Sequence, residues 1–427
     1  MTGLRTGGAG PKRPTDCTSP SSMVRSRSKA QIAPGRHPAS SLRSARAEWF
    51  RDGDAVTAKP THAGIDALVA LDMDTLKCPY PAFSQLRETA PICWSDAMGS
   101  WIVTDYALLK ELLRDTHNFS NRAAGGPQSQ RSGMMQHVSE LAADPEHSAL
   151  CQRFVESLAD SSPVLISADP PDHVRQRRLV NGAFRPSSLR SMEPTITRIV
   201  DDLLDGVLGP AANQTDETVS LDLVPPFAVM VPMVIIATAL GVPDGDHKRF
   251  KRWSDAMLVA LGNAHVTRKQ TLGFISAQVE FGDYFAPKLR QRADDPRDDL
   301  ISDVATAELD GDRLGTTEQL DMVRQFLQAG NETTTKLLTN GVRLMAETPE
   351  LQAELRRDRS RLDAFIEESL RHESPVTGLF RTATSDVDLG GVTVREGQWV
   401  WAAYAAANHD GAKYADPDAF DIERFPH

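Results

Sequence analysis

From Thr317 to Glu347 the chain carries one long helical pattern. Apolar residues recur at Leu320, Val323, Leu327, Leu337, Leu338, Leu344 and Met345, with Thr334 and Gly341 in the same series. A pattern of that length belongs to a large, mainly helical domain. Its midpoint, Ala329-Gly330-Asn331-Glu332-Thr333-Thr334, is nonetheless made of poor helix formers. Glycine inside a helix costs about 1 kcal/mol against alanine. A threonine hydroxyl can bond back to a carbonyl one turn earlier and bend the helix. The combination predicts a local distortion, with an acid beside an alcohol able to relay protons into a buried space. Taken alone, the same residues equally describe a close contact between two helices with no chemistry.

Further helices are expected over Pro171–Ala183, Pro194–Val207, Pro226–Leu240, Asp246–Leu261, Leu272–Gln291 and Arg361–His372, the last stopping before Pro375. Upstream, residues 79–94 read as a short helix leading to a strand. Trp101–Val103 reads as a strand followed by a helix capped near Thr104 or Asp105. Asn118 to about Ala168 is less regular. After Pro375, residues 387–404 alternate and turn at Gly390-Gly391 and Glu396-Gly397, which predicts a small antiparallel sheet. The fold class is therefore mainly α with small antiparallel β-sheets.

Leu223 to Val242 is uncharged for 20 residues. Pro225, Pro226 and Pro232 interrupt it and charges flank it, so a buried core helix starting after the proline pair is expected, not a membrane span.

Net charge is −11. Residues 1–60 contribute +7 and the remainder −18. An acidic body argues against nucleic-acid binding. The basic segment 1–60 is rich in Ser, Arg, Gly and Pro and lacks periodicity, so it is expected to be a disordered tail, a targeting segment or a misread start. The ordered domain is expected over 61–427. Cys17, Cys78, Cys93 and Cys151 show no metal-site spacing and read as free thiols in a reducing cytoplasm.

Three more motifs carry chemistry. Glu368 and Arg371 are three apart on one helix and can pair, although E-x-x-R alone is a common surface pair. His173 and Arg177, in "ADPPDHVRQRR", share a helix face that suits an anion. The chain ends with "ANHDGAKYADPDAFDIERFPH".

In order and spacing, these motifs resemble the bacterial, soluble class of the cytochrome P-450 haem-thiolate monooxygenases. A-G-x-[DE]-T-T matches Ala329–Thr334, and E-x-x-R matches Glu368 and Arg371. D-P-P-x-H-x-x-x-R matches Asp169–Arg177, and A-N-[RH]-D…DP-x-x-F-D-x-x-R-F matches Ala407–Phe425. The resemblance covers roughly Asp72 to Pro426 and implies the cytochrome P-450 fold. It implies heme b (iron protoporphyrin IX) as cofactor, with Ala329 and Gly330 against its distal face. Glu332 and Thr333 would be the catalytic acid–alcohol pair that delivers protons for oxygen activation. His173, Arg177 and Arg381 would bind the haem propionates, where cations neutralise two carboxylates. Glu368, Arg371 and Arg424 would form a structural triad on the proximal side. Residues 118–168 fall where the family has its substrate-recognition loop.

The implied reaction inserts one atom of O2 into a small apolar substrate. NAD(P)H would supply the electrons indirectly, through a ferredoxin or flavin redox partner. A cytoplasmic monomer without a membrane span is expected. The family's F-G-x-G-x-H-x-C-x-G loop should follow Arg424 closely, but all four cysteines lie at or before position 151. The axial thiolate gives the electron push for oxygen cleavage. The chain as written is therefore expected to be truncated before that ligand, to lack a metal-ligating residue and to hold haem poorly. The other reading of the residues is a non-catalytic remnant that keeps a small-molecule cleft.

Overall fold

The computed structural model describes residues 78–122, 124–127, 133–212, 221–259 and 266–425. The tail expected over 1–60 lies outside the described residues. Tyr80–Thr89 forms α1, followed by β1 (Ile92–Ser95), β2 (Ser100–Val103) and α2 (Tyr106–Arg114). Asp105 begins α2 because its carboxylate accepts the Leu108 N–H at 2.9 Å. Leu108, Leu109 and Leu112 then bury one face. The irregular stretch expected after Asn118 contains β3 (Phe119–Ser120), α3 (Met134–Ala142) and α4 (Ser148–Ala159).

The helical body comprises α5 (Asp172–Val180), α6 (Pro186–Ala212), α7 (Met230–Ala239), α8 (His247–Leu258), α9 (Arg268–Asp294), α10 (Leu300–Thr306), the short antiparallel pair β4 (Glu308–Leu309) and β5 (Asp312–Arg313), and α11 (Thr316–Glu347). Pro186, not Pro194, takes the first turn of α6, where a missing N–H does no harm. The uncharged stretch divides at its proline pair. Val224–Ala228 is a π-helical turn, with Ala228 N–H bonded to Leu223 O at 3.0 Å and Val229 N–H to Val224 O at 2.9 Å. Prolines 225 and 226 have no N–H for the tighter α pattern. Beyond it, α7 buries Val231, Pro232, Met233 and Ala237. No helix among the described residues is long and apolar enough to cross a membrane.

At 32 residues, α11 is the longest of these helices. It spans roughly 48 Å at 1.5 Å per residue. Met322, Val323, Phe326 and Leu327 enter a core shared with Trp253 and Met257 of α8 and with Phe281 and Phe285 of α9. The distortion expected at its midpoint is not present as a break: α-helical structure is continuous through 329–335.

After α11 come α12 (Pro349–Arg357), α13 (Leu362–His372), β6 (Leu379–Ala383), β7 (Val387–Leu389), β8 (Val392–Val394), β9 (Trp399–Ala402) and α14 (Tyr404–Ala407). Gly390 and Gly391, at φ +61° and +86°, make the β7–β8 hairpin. The expectation of one local antiparallel sheet needs correction at β9. That strand leaves the hairpin and joins a five-stranded sheet in the order β1-β2-β9-β6-β3. It runs antiparallel to β6 and parallel to β2, which lies some three hundred residues earlier in the chain. Val400 and Ala402 are fully buried there, so burial against remote partners decides the pairing. Cys93 and Cys151 are both buried, and Cys151 is a free thiol, whereas Cys78 departs from the thiol reading and is disulfide-bonded.

Candidate active site

The poor helix formers of α11 divide between two faces. Asn331 points into the core, where its Nδ2 donates to Ser254 Oγ of α8 at 2.8 Å. Gly330 faces α7: a Cβ built on it would meet Ile236 Cγ1 at 3.5 Å, an ordinary contact. Here the helix is stitched to its neighbours. The other face carries Ala329, Glu332, Thr333 and Lys336. Ala329 is exposed, although Phe326 and Leu327 one turn earlier are buried.

Glu332 and Thr333 are neighbours, but each has a different partner. Thr333 Oγ1 donates to Ala329 O at 2.9 Å, the back-bond of a helical threonine. Glu332 pairs with Lys336 at 2.7 Å, with their side chains 43% and 50% exposed. An exposed pair of that spacing is worth only a few tenths of a kcal/mol.

A second group of side chains lies on α5 and β6. The arginines on one side of α5 are committed: Arg175 pairs with Glu318 and Asp312, and Arg178 with Asp310 at 3.7 Å. His173 and Arg177 share another side. Among the described residues neither side chain has a hydrogen-bond or ion-pair partner. The side chain of Arg381, in the middle of β6, donates among the described residues only to the carbonyl of Phe380, at 2.8 Å. Two links tie α5 to β6. Asp169, just before α5, accepts from Ser120 Oγ at 2.6 Å and from Asn121 N–H at 2.7 Å. Ser120 in turn pairs with Thr382 in the β3–β6 ladder. Gly126 closes the neighbouring turn at φ +74°, where a Cβ would meet Phe380 Cδ2 at 2.2 Å. The Arg177 and Arg381 guanidiniums and the His173 ring are donors of the kind that carboxylates accept, so the donor types fit the propionates of haem.

The third group is buried at the C-terminal end of the described chain. Arg371 Nε and Nη2 each bond one oxygen of Glu368, both at 2.7 Å. Arg371 also donates to the carbonyls of Asn408, Pro417 and Ala419 at 2.9, 2.6 and 2.9 Å. Arg424 Nε reaches Glu368 Oε1 at 3.3 Å, and its Nη1 reaches Ala415 O at 2.6 Å. The structure therefore brings together Glu368, Arg371 and Arg424. Two arginines hold the loop 408–419 to α13 through its backbone.

Sequence reasoning missed what lies beside this network. His409 Nδ1 meets Asp418 Oδ1 at 2.9 Å, its Nε2 meets His372 O at 3.0 Å, and its ring stacks on Tyr80 at 4.0 Å. Burial, then the neighbouring His409 and Arg371, pushes the His372 imidazole down to about 3. Burial and the adjacent Glu373 carboxylate push the Tyr80 phenol well above its ordinary range. Position 409, the variable [RH] of the A-N-[RH]-D pattern, was the only available signal.

Comparisons with known proteins agree with this arrangement. The model of the family described as Cytochrome P450 matches residues 152–427. Over 367 residues the chain is 32% identical to Cytochrome P450 107B1 of Saccharopolyspora erythraea, covering 85% of this chain and 83% of that protein. Among solved structures, CYP109E1 from Bacillus megaterium in complex with testosterone matches with 29% identity and a TM-score of 0.66, over 82% of this chain and 81% of that one. P450BioI in complex with a hexadec-9Z-enoic acid-ligated acyl carrier protein matches with 29% identity and a TM-score of 0.68, over 83% and 84%.

Proposed function

Since the chain belongs to the cytochrome P450 family, whose members are haem monooxygenases, we propose that it takes part in oxygenating a small, largely apolar organic substrate. Its electrons come from NAD(P)H through a ferredoxin or flavin partner docking on the Glu368–Arg424 side. We read it as a cytoplasmic monomer whose domain begins near residue 61. When bound, haem would supply the activation of O2, one atom of which would enter the substrate while the other left as water, with two electrons and two protons consumed.

The chain's own residues have separable tasks in this reading. His173, Arg177 and Arg381 neutralise the two propionates and set the orientation of the ring. Ala329 forms the wall of α11 beside it, while Gly330, against Ile236 of α7, lets the two helices sit close behind that wall. Thr333 holds a proton at Oγ1, shared with Ala329 O, and Glu332 replenishes that proton from solvent. The small cost of leaving Lys336 lets the Glu332 carboxylate move. Glu368, Arg371 and Arg424 keep the loop 408–419 in one shape on the opposite side. No cysteine follows Cys151, so the residues present supply the distal and propionate sides of the site but not the thiolate.

The observation that carries this reading is the contrast within α5: Arg175 and Arg178 are paired, while His173 and Arg177 on the other side are not. Titration of the chain with hemin, followed in the Soret region, tests it. Saturable one-to-one uptake that weakens about tenfold in Arg177→Ala, a change of roughly 1.4 kcal/mol, is expected. Uptake indifferent to His173, Arg177 and Arg381 leaves the non-catalytic remnant as the better reading.

A further inference from the structure

His409 is 3% exposed, yet both of its ring nitrogens face acceptors. Nδ1 lies 2.9 Å from Asp418 Oδ1, and Nε2 lies 3.0 Å from His372 O. A carbonyl oxygen and an ionised carboxylate accept and cannot donate, and a neutral imidazole carries only one N–H. Both contacts are made together only when the ring holds two protons and a positive charge. Asp418 is ionised: its side chain is 77% exposed, and the bond to His409 holds its carboxyl below the ordinary range. His372 differs. Its Nε2 lies 3.2 Å from Asp418 O and therefore donates, while its buried Nδ1 has no partner among the described residues. Burial first, and then the charges on His409 and Arg371, keep a second proton off it.

The other charges around His409 are already matched. On α1, Arg87 donates to His409 O at 2.7 Å and lies 3.8 Å from Asp410. Tyr80 stacks on the ring and donates to Glu373 at 3.2 Å. On α13, Arg371 is held by Glu368, and Glu373 takes Arg343 of α11 at 2.6 Å. Asp418 is left for His409. The pattern A-N-[RH]-D admits histidine or arginine at this position. Both are cations that donate from two nitrogens, and only histidine sheds its charge near neutral pH.

We infer that His409 is the catch of a pH-sensitive clasp, in which its doubly protonated ring ties Asp418 of the loop 408–419 to the last turn of α13. Loss of one proton leaves one N–H for two acceptors. The buried carbonyl of His372 keeps it, because a buried acceptor needs a donor, whereas the exposed carboxylate of Asp418 turns to water. Arg371 still holds Pro417 O and Ala419 O. The loop therefore slackens at Asp418 without leaving α13. The clasp is present at low pH and opens as pH rises.

The 427-residue chain tests this. Long-range nitrogen–proton NMR of the histidine rings reads the two ring nitrogens separately, the His409 signal being identified by its loss in His409→Gln. Both nitrogens are expected to be protonated at about pH 6, and one to be bare by about pH 9. Amide exchange over 410–420, corrected for the intrinsic effect of pH, should speed up about tenfold with the same midpoint, the loss of one charge-assisted bond. His409→Arg should keep the slow rate throughout, and His409→Gln the fast one. The spectrum reads the unsubstituted chain, so a variant that fails to fold does not remove the test. A ring with one bare nitrogen at about pH 6, loop exchange that does not follow the ring, or an undiminished pH response in His409→Arg overturns the proposal.

Discussion

Arg371 grips both oxygens of Glu368, Nε to Oε2 and Nη2 to Oε1, each at 2.7 Å, with side chains 2% and 0% exposed. A pair so deeply buried must be complete, because removing one partner leaves an uncompensated charge. Arg371→Ala should therefore lower stability by about 3–5 kcal/mol. Arg424→Ala, which breaks a longer contact to the same carboxylate, should cost about 1–3 kcal/mol. Urea denaturation of both variants checks this, and equal losses would remove the ranking.

Acid stability should depend on His372. Its folded value of about 3 lies below the ordinary 6.5. The unfolded chain thus binds a proton that the folded chain refuses. The contribution to stability is whole above 6.5 and is lost as pH falls toward 3. The slope approaches about 1.4 kcal/mol per pH unit. Asp418 has its carboxyl held below 3.8 by its bond to His409, and so acts below that pH. Between pH 3.8 and 6.5, His372→Gln should flatten the acid limb of stability against pH. An unaltered limb would clear His372 of the effect.

Haem uptake should respond to the uncommitted donors in a graded way. His173→Ala and Arg177→Ala should each weaken hemin binding several-fold, by about 1–2 kcal/mol for a charge-assisted bond. Arg175→Ala, on the paired side of α5, should leave uptake unchanged while loosening the contact to Glu318. A loss as large for Arg175→Ala as for Arg177→Ala counts against the propionate assignment.

The 427 residues, reduced under carbon monoxide, should give no thiolate-type Soret band, since no cysteine follows Cys151. Appearance of that band would mean that Cys78, Cys93 or another of the four reaches the iron.

In a chain to which the F-G-x-G-x-H-x-C-x-G loop has been restored, loaded with haem, Thr333→Ala should cut the share of consumed O2 recovered as product by about tenfold, the lower end for general acid–base groups. Thr333→Ser, which keeps the hydroxyl, should restore it. Unchanged coupling in Thr333→Ala removes this residue from the proton path. Peroxide release, measured alongside, separates lost proton delivery from lost oxygen binding.

Much of the fold was legible because helices announce themselves locally. The periodicity over Thr317–Glu347 located α11 to within one residue at its start and correctly at its end. Asp105 marked the start of α2 through a bond that spans only three residues. The E-x-x-R spacing was legible as a pair, but not its burial or the three carbonyls that Arg371 satisfies. The midpoint of α11 was read as bent, whereas the structure keeps it helical: Asn331 and Gly330 are spent on contacts with α8 and α7.

By itself the amino-acid sequence determined the helical class, most of the long helices, the family and the side chains that share a helix face. These depend on the 3.6-residue period, on capping and on short motifs, all of which act over a few residues. Only the tertiary structure decided that β9 pairs with β2 and β6 and not with β8, that His409 stacks on Tyr80, and that α5 has one paired and one unpaired side. Those outcomes depend on burial and hydrogen bonding between segments hundreds of residues apart, for which a linear pattern carries no address.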